Sequence, residues 1–222
     1  MDVSILIPTY NRKKFEYLIS LNICCQTYPF IKEIIIADDG NEEEILNIKC
    51  PYDVIYCKLS KRISIGQKRN FLISKASSHY IAFMDTDDFY HPDYISKSIF
   101  NLIYHDKKVS GSADMILYDK KSNKTFVQSC IFLDMLNEAT LVMTRDFGLT
   151  HFFSDSMSSE GLRFLNNSLQ DIYETSIYDI MICLSHSSNT IDKNIWINEN
   201  LETSINTDIY EEHFKILSNL II

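Results

Sequence analysis

The stretch HYIAFMDTDDFYHPDYI, residues 79–95, sets Asp85, Asp87 and Asp88 directly behind an apolar run. Carboxylates this close repel one another, so either they lie on a solvated turn or a cation belongs among them. A hard divalent ion takes oxygen ligands and bridges protein carboxylates to phosphate oxygens. If a cation sits here, Mg²⁺ or Mn²⁺ acting on a phosphorylated ligand is the kind the cluster suits; a solvated acidic turn stays open as the other reading. An EF-hand loop starting here would need Gly where Tyr90 stands.

A phosphate can also be cradled by a glycine-rich loop, but the chain has only five glycines and neither GxGxxG nor GxxxxGK[ST]. A diphosphate must then be neutralised in another way, which links the missing glycines to the crowded aspartates. Phosphatases with an Asp-x-Asp nucleophile resemble this stretch, yet they usually carry Thr or Val where Asp88 stands, and near the N-terminus.

The elements that must position these residues follow from periodicity. VSILIP, IKEIIIADDG, DVIYCKL and HYIAFMD are short apolar runs, the mark of strands buried on both faces. Between them, RKKFEYLISLNICCQ has helical spacing, a short polar helix is predicted over Glu42–Ile48, and another helix over about Ser64–Ala76. A further helix starts after Pro92. This β-α-β order predicts an α/β fold with a mostly parallel sheet and right-handed crossovers. Beyond it, ADMILYD and KTFVQS predict a hairpin, EATLVMTR and YDIMICLSH strands, and SSEGLRFLNNSL a helix. A last helix is expected over Asp208–Leu220, with Thr207 as its cap. Ligands of such a sheet gather outside the carboxyl ends of the strands, where Pro8-Thr9-Tyr10-Asn11, Asp38-Asp39-Gly40 and the aspartate cluster all fall.

At 222 residues the chain is expected to form one domain: a nucleotide-binding half over 1–110, an acceptor-side half over 111–195, and a tail over 196–222. Hydrophobic residues at 45% and charged residues at 23% are ordinary for a globular protein. A net charge of -9 argues against nucleic acid or an anionic membrane surface as partner. The basic stretch KLSKRISIGQKRN, residues 58–70, is either a solvated face or a contact for diphosphate. Six cysteines without a CxxC, and no leader, predict reduced thiols in a cytoplasmic protein. Cys24 and Cys25 are expected in or near the core, and Trp196 is expected to pack the tail or stack on a sugar. No apolar run approaches the roughly 20 residues of a membrane span.

The motifs VSILIPTYNR, IIIADDG, GQKRNFLISKASSHYIAFMDTDD, SSEGLRFL and LSHSSNT come in an order and spacing similar to family 2 glycosyltransferases of the GT-A fold, over residues 2 to about 190. That resemblance implies a Rossmann-like sheet with a smaller antiparallel acceptor-side portion. It also implies inverting transfer of a sugar from a nucleoside diphosphate donor, a UDP-sugar, to a glycan, lipid or protein hydroxyl. By the same resemblance Thr9 and Tyr10 line the base pocket, Asp39 reads the uracil edge, and Arg69 contacts the nucleotide. Asp85 faces the ribose, Asp87 ligates Mn²⁺ or Mg²⁺, His186 reaches the metal or diphosphate, and Asp88 braces the loop.

Inversion needs a carboxylate to take the acceptor proton. Many relatives keep it in a Glu-Asp pair, but this chain reads Glu160-Gly161, so Glu160 is the first candidate and Asp155 the second. Plainer roles stay open: Asp39 as a turn residue, Arg69 as a surface charge, His186 as a structural residue, Glu160 at a helix start. Two other activities also remain, a metal-dependent nucleotidyltransferase or phosphohydrolase and a non-catalytic nucleotide-sugar or glycan-binding module. No motif marks residues from about Ser129 to Asn166, and the acceptor side is expected to be open or completed by a partner or a second copy.

Overall fold

The computed structural model describes residues 1–41, 43, 45–130, 135–157, 160–165, 168–186, 189, 201–203, 205 and 207–219. Four parallel strands open it: β1 (Val3–Thr9), β2 (Ile31–Asp38), β3 (Asp53–Lys58) and β4 (Tyr80–Phe83). Every residue of β1 is buried, as a strand covered on both faces requires. Its odd positions Val3, Ile5 and Ile7 pack with α1 (Glu16–Cys24) and α3 (Tyr94–Tyr104). Leu6 on the opposite face joins Leu72 and Ile73 of α2 (Ile65–Lys75). Ser64 caps α2, its hydroxyl accepting the Gln67 amide hydrogen at 3.1 Å.

Three more strands extend the sheet: β6 (Val109–Gly111), β9 (Val142–Thr144) and β10 (Ile172–Glu174), giving the order β3-β2-β1-β4-β9-β6-β10. Only β9 runs against its neighbours. Helix α4 (Arg145–Thr150) follows β9. A smaller, mostly antiparallel sheet joins β12 (Leu201–Thr203), β8 (Lys124–Gln128), β7 (Met115–Asp119), β11 (Met181–Ser185) and β5 (Phe89–Tyr90), in that order. The expected architecture, a mostly parallel sheet flanked by helices with a smaller portion beside it, is present. The hairpin is β7–β8, and the last helix is α5 (Glu211–Asn219), preceded by a 3-10 turn over Thr207–Tyr210.

Several local expectations are corrected. Residues 45–49 carry no helix, so the polar helix is not formed there; Leu46 and Ile48 turn inward and pin an irregular connection against the core. In place of a helix over SSEGLRFLNNSL, the described residues form a 3-10 turn, Glu160–Arg163, because Glu160 and Phe164 are both drawn inward. The first three residues of EATLVMTR are likewise a 3-10 turn, Glu138–Thr140, capped by Asn137. Cys24 is exposed at the end of α1, while Cys25 is partly buried. Trp196 lies outside the described residues. No helix among the described residues is long and apolar enough to cross a membrane.

The strand order turns at β1, which lies between β2 and β4, so the carboxyl ends of these strands open a crevice. The aspartate cluster occupies the link from β4 to β5 and thus bridges the two sheets.

Candidate functional site

A cleft of about 460 Å³ opens at this crevice. Thr9, Tyr10, Asp39, Arg69, Asp85, Asp87 and Glu160 of the sequence's candidates line it. Asp155 does not; it is exposed and accepts a hydrogen bond from Gln67 Nε2 at 2.8 Å. His186 stands behind the lining and reaches the cleft through Asp87.

At one end lie the residues after β1 and β2. Asp38 forms the turn, its Oδ1 accepting the Gly40 amide hydrogen at 2.8 Å. That leaves Asp39 to face the cleft, where Oδ2 accepts from the Ile63 amide at 2.9 Å and Oδ1 pairs with Lys68 Nζ. Lys68 also donates to the Thr9 carbonyl at 2.8 Å, which ties β1, β2 and α2 together. Burial pulls the Lys68 ammonium below its ordinary pKa, against the Asp39 charge that supports it. The Thr9 hydroxyl is buried without a hydrogen-bond partner among the described residues. Arg62 lies over the Tyr10 ring, 4.1 Å from its centre. This end thus offers a planar stack, an unmet hydroxyl and a carboxylate, the group types a nucleobase requires.

In the middle is the acidic loop. Asp88 lines the cleft as well, and its Oδ1 accepts the Leu184 amide hydrogen at 2.9 Å. This brace sets the residue just beyond β11 beside the loop, so that His186 Nε2 lies 3.0 Å from Asp87 Oδ2. Arg12 reaches the same oxygen at 3.4 Å. Among the described residues no three His, Cys, Asp or Glu side chains form a metal cage. The Asp87–His186 pair nonetheless fits a partly hydrated Mg²⁺ or Mn²⁺ that draws its other ligands from phosphate and water. His186 Nε2 is also 3.1 Å from Nδ2 of Asn189, whose Oδ1 accepts the His186 amide hydrogen. An amide nitrogen asks Nε2 for a lone pair while Asp87 asks it for a proton, and one ring nitrogen cannot supply both. A lone pair and a carboxylate at this separation are what a cation takes.

At the far end Arg69 is buried between carboxylates. Its Nε donates to Glu160 Oε1 at 2.9 Å, and Nη2 lies 3.4 Å from Asp85 Oδ1. Its guanidinium sits 4.9 Å from the centre of the Phe83 ring. Burial works against its charge, but Asp85, Glu160 and Glu138 together hold it more firmly protonated than usual. Its Nη1 is buried with no hydrogen-bond partner among the described residues, a donor without an acceptor beside the cleft. The Asp85 amide donates to the Tyr90 hydroxyl at 2.7 Å, and that hydroxyl donates to the Ala139 carbonyl at 3.0 Å.

Sequence reasoning did not single out Arg12 or Glu138, and held Arg62 and Lys68 only as part of the basic stretch 58–70. Lys68 and Arg12 stand inside the motifs already singled out, next to Arg69 and after Tyr10-Asn11, and their position at strand and helix ends was the available signal. Lys68 and Arg69 are buried, so that end of the basic stretch is no solvated face. Glu138 carried no sequence signal; it reaches the cleft from the turn before β9.

Residues 4–158 match the model of the family described as glycosyl transferase family 2. An uncharacterized glycosyltransferase of Rickettsia felis is 26% identical over 174 residues, covering 72% of this chain and 28% of that protein. The poly(ribitol-phosphate) beta-N-acetylglucosaminyltransferase TarS of Staphylococcus aureus is 23% identical over 154 residues, covering 65% of this chain and 26% of that protein. A crystal structure of S. aureus TarS 1–349 in complex with UDP superposes with a TM-score of 0.62 at 16% identity, over 83% of this chain and 60% of that one. That likeness establishes the fold. The chain spans about a quarter of the length of these two curated relatives.

Proposed function

The chain belongs to glycosyl transferase family 2, and from that premise we propose that it moves a sugar from a UDP-sugar to an acceptor hydroxyl with inversion at the anomeric carbon. The observation that carries this reading is Asp87, which lines the same cleft as Thr9 and Asp39 and has His186 Nε2 behind it at 3.0 Å. The Thr9–Asp39 pocket suits a nucleobase, and the acidic loop beside it a cation with a diphosphate. A similar protein is named for N-acetylglucosaminyl transfer, and its structure has been determined with UDP and with UDP-GlcNAc, which favours a UDP-sugar donor.

In this reading Thr9, Tyr10 and Asp39 hold the uracil, and Asp85 the ribose. Asp87 and His186 would hold Mn²⁺ or Mg²⁺, which when bound supplies positive charge to the departing diphosphate. Arg12 and the unmet Nη1 of Arg69 add cationic donors along the same path. A carboxylate of the cleft receives the acceptor's proton; Glu160 is the sequence's candidate that lines it, with Asp155 outside. The acceptor is a glycan, lipid or protein hydroxyl, and a cytoplasmic location suits the free thiols expected from the sequence.

The test is UDP release from a panel of nucleotide sugars with Mn²⁺ or Mg²⁺, with and without sugar acceptors, alongside UDP binding by calorimetry. Metal-dependent UDP binding that is lost in Asp87→Ala, with UDP release from at least one donor, supports the reading. Binding without release from any donor would leave a nucleotide-sugar-binding module instead. Retention of anomeric configuration in the product would overturn direct displacement.

A further inference from the structure

Three carboxylates compete for the acceptor's proton, and the structure separates them. Asp155 lies outside the cleft. Glu160 is spent on Arg69 at 2.9 Å, and protonating it would strip a buried guanidinium of its nearest anion. Glu138 lines the cleft, and its Oε1 accepts the Gly161 amide hydrogen at 2.8 Å. No ion pair to Glu138 forms among the described residues. Burial holds its carboxyl above the usual glutamate value; the Glu160 charge pushes the same way and Arg69 pulls against it. A carboxylate so placed keeps a proton more readily than an ordinary one, as a general base must.

Gly161 lies directly against Glu138. Its φ is not positive, so the backbone there does not call for glycine. A Cβ at 161 would lie 2.5 Å from Glu138 Oε1, 2.8 Å from its Cγ and 2.9 Å from its Cδ. The Glu138 carboxylate therefore occupies the space that a side chain at 161 would fill. Glycine at 161 and glutamate at 138 form one arrangement: the first gives room and an amide hydrogen, the second supplies the charge.

We propose that Glu138 is the general base of the transfer, delivered over Gly161 from the turn before β9. The inference rests on the glycosyl-transfer reading above. The acceptor oxygen attacks the anomeric carbon, its proton passes to the Glu138 carboxylate, and the bond to the diphosphate oxygen breaks with its electron pair leaving on UDP. Glu160 then acts as a positioning residue, holding Arg69 and carrying Gly161 beside Glu138.

The experiment compares wild type, Glu138→Gln, Glu138→Ala and the double variant Glu138→Ala with Gly161→Asp. It measures turnover of the donor selected by the screen, with water and with the best acceptor, and UDP affinity with Mn²⁺. Glu138→Gln keeps an acceptor for the Gly161 amide but cannot take a proton. Its turnover is expected to fall by about 100-fold or more while UDP affinity stays within about threefold. The double variant places a carboxylate in the vacated space and is expected to recover about tenfold over Glu138→Ala. Glu138→Gln retaining turnover within about threefold of wild type would overturn the assignment. So would a fall in turnover matched by an equal loss of UDP affinity, which marks a structural role. A wild type that binds UDP and turns over no donor would overturn the transfer reading itself, and the base with it.

Discussion

Asp88 Oδ1 accepts the amide hydrogen of Leu184 at 2.9 Å, across 96 residues of sequence, while the Asp88 carbonyl accepts from Asn22 Nδ2 at the same distance. One residue thus fastens the acidic loop to β11 and to α1. Asp87 and His186 meet because of this brace, since each is one or two residues beyond it.

Asp88→Ala is expected to cost about 1.5–3 kcal/mol, the range for a buried hydrogen bond to a charged group. Urea unfolding measures it. Asp88→Asn keeps an acceptor and should lose less. UDP binding should weaken in Asp88→Ala, because the loop that carries Asp87 loses its tie to β11. An unchanged affinity would show that the loop holds its shape without the brace.

Lys68 and Asp39 are buried together beside the proposed base pocket. Lys68→Met leaves the Asp39 carboxylate with the Ile63 amide but no cation, and is expected to destabilise by about 3–5 kcal/mol. Adding Asp39→Asn removes the stranded charge and should restore part of that loss. Denaturant midpoints of the two single variants and the double variant decide it; simple additivity would mean that the two do not act as a pair.

The parallel half of the fold was legible because each strand is covered on both faces and reads as an unbroken apolar run. The residues at its carboxyl rim were legible for the same reason, since Thr9, Asp39 and Asp85 follow directly from where those runs stop. What escaped depends on contacts between distant segments. SSEGLRFL has the spacing of a helix, yet Glu160 turns inward to meet Arg69, and the segment tightens into a 3-10 turn. Glu138 lies in a stretch without a motif, and its meaning appears only where it fills the place above Gly161. Cys24 has the spacing of a core residue, but α1 ends there and leaves it exposed.

Gly66 separates propensity from packing. It sits in the first turn of α2, where Ala is intrinsically better by about 0.8–1 kcal/mol in a helix. A Cβ at Gly66 would lie 1.8 Å from the Ser154 carbonyl oxygen and 3.2 Å from Glu160 Cβ. The obstacle is backbone, which cannot swing aside as a side chain can. Gly66→Ala is therefore expected to destabilise by about 1–3 kcal/mol or more, opposite in sign to propensity. It should also lower UDP turnover by moving the segment that carries Glu160. A raised denaturant midpoint would show that residues 153–157 yield freely.

His213 gives the chain a specific acid sensitivity. It is 1% exposed on α5, its Nε2 lies 3.0 Å from Asn22 Oδ1, and its Nδ1 is buried without a partner among the described residues. Asn22 Oδ1 also accepts the Tyr90 amide, and Asn22 Nδ2 donates to the Asp88 carbonyl, so the ring neutral at Nδ1 completes a chain that ends at the acidic loop. Burial lowers the His213 pKa from 6.5 to about 4, against a smaller opposing pull from Glu212. The unfolded chain therefore binds a proton at this residue between pH 6.5 and about 4 while the folded chain does not. Stability is unaffected by His213 above that window, falls through it as pH drops, and is flat below it. The full difference is about 3 kcal/mol. His213→Leu loses the hydrogen bond to Asn22, about 1 kcal/mol at neutral pH, but removes the titration. Urea unfolding of both proteins at several pH values should then show the wild type losing more stability than the variant between pH 7 and 4, by about 3 kcal/mol. Parallel curves would mean that His213 takes up its proton in the folded state, and that the contact from α5 to Asn22 opens without unfolding the chain.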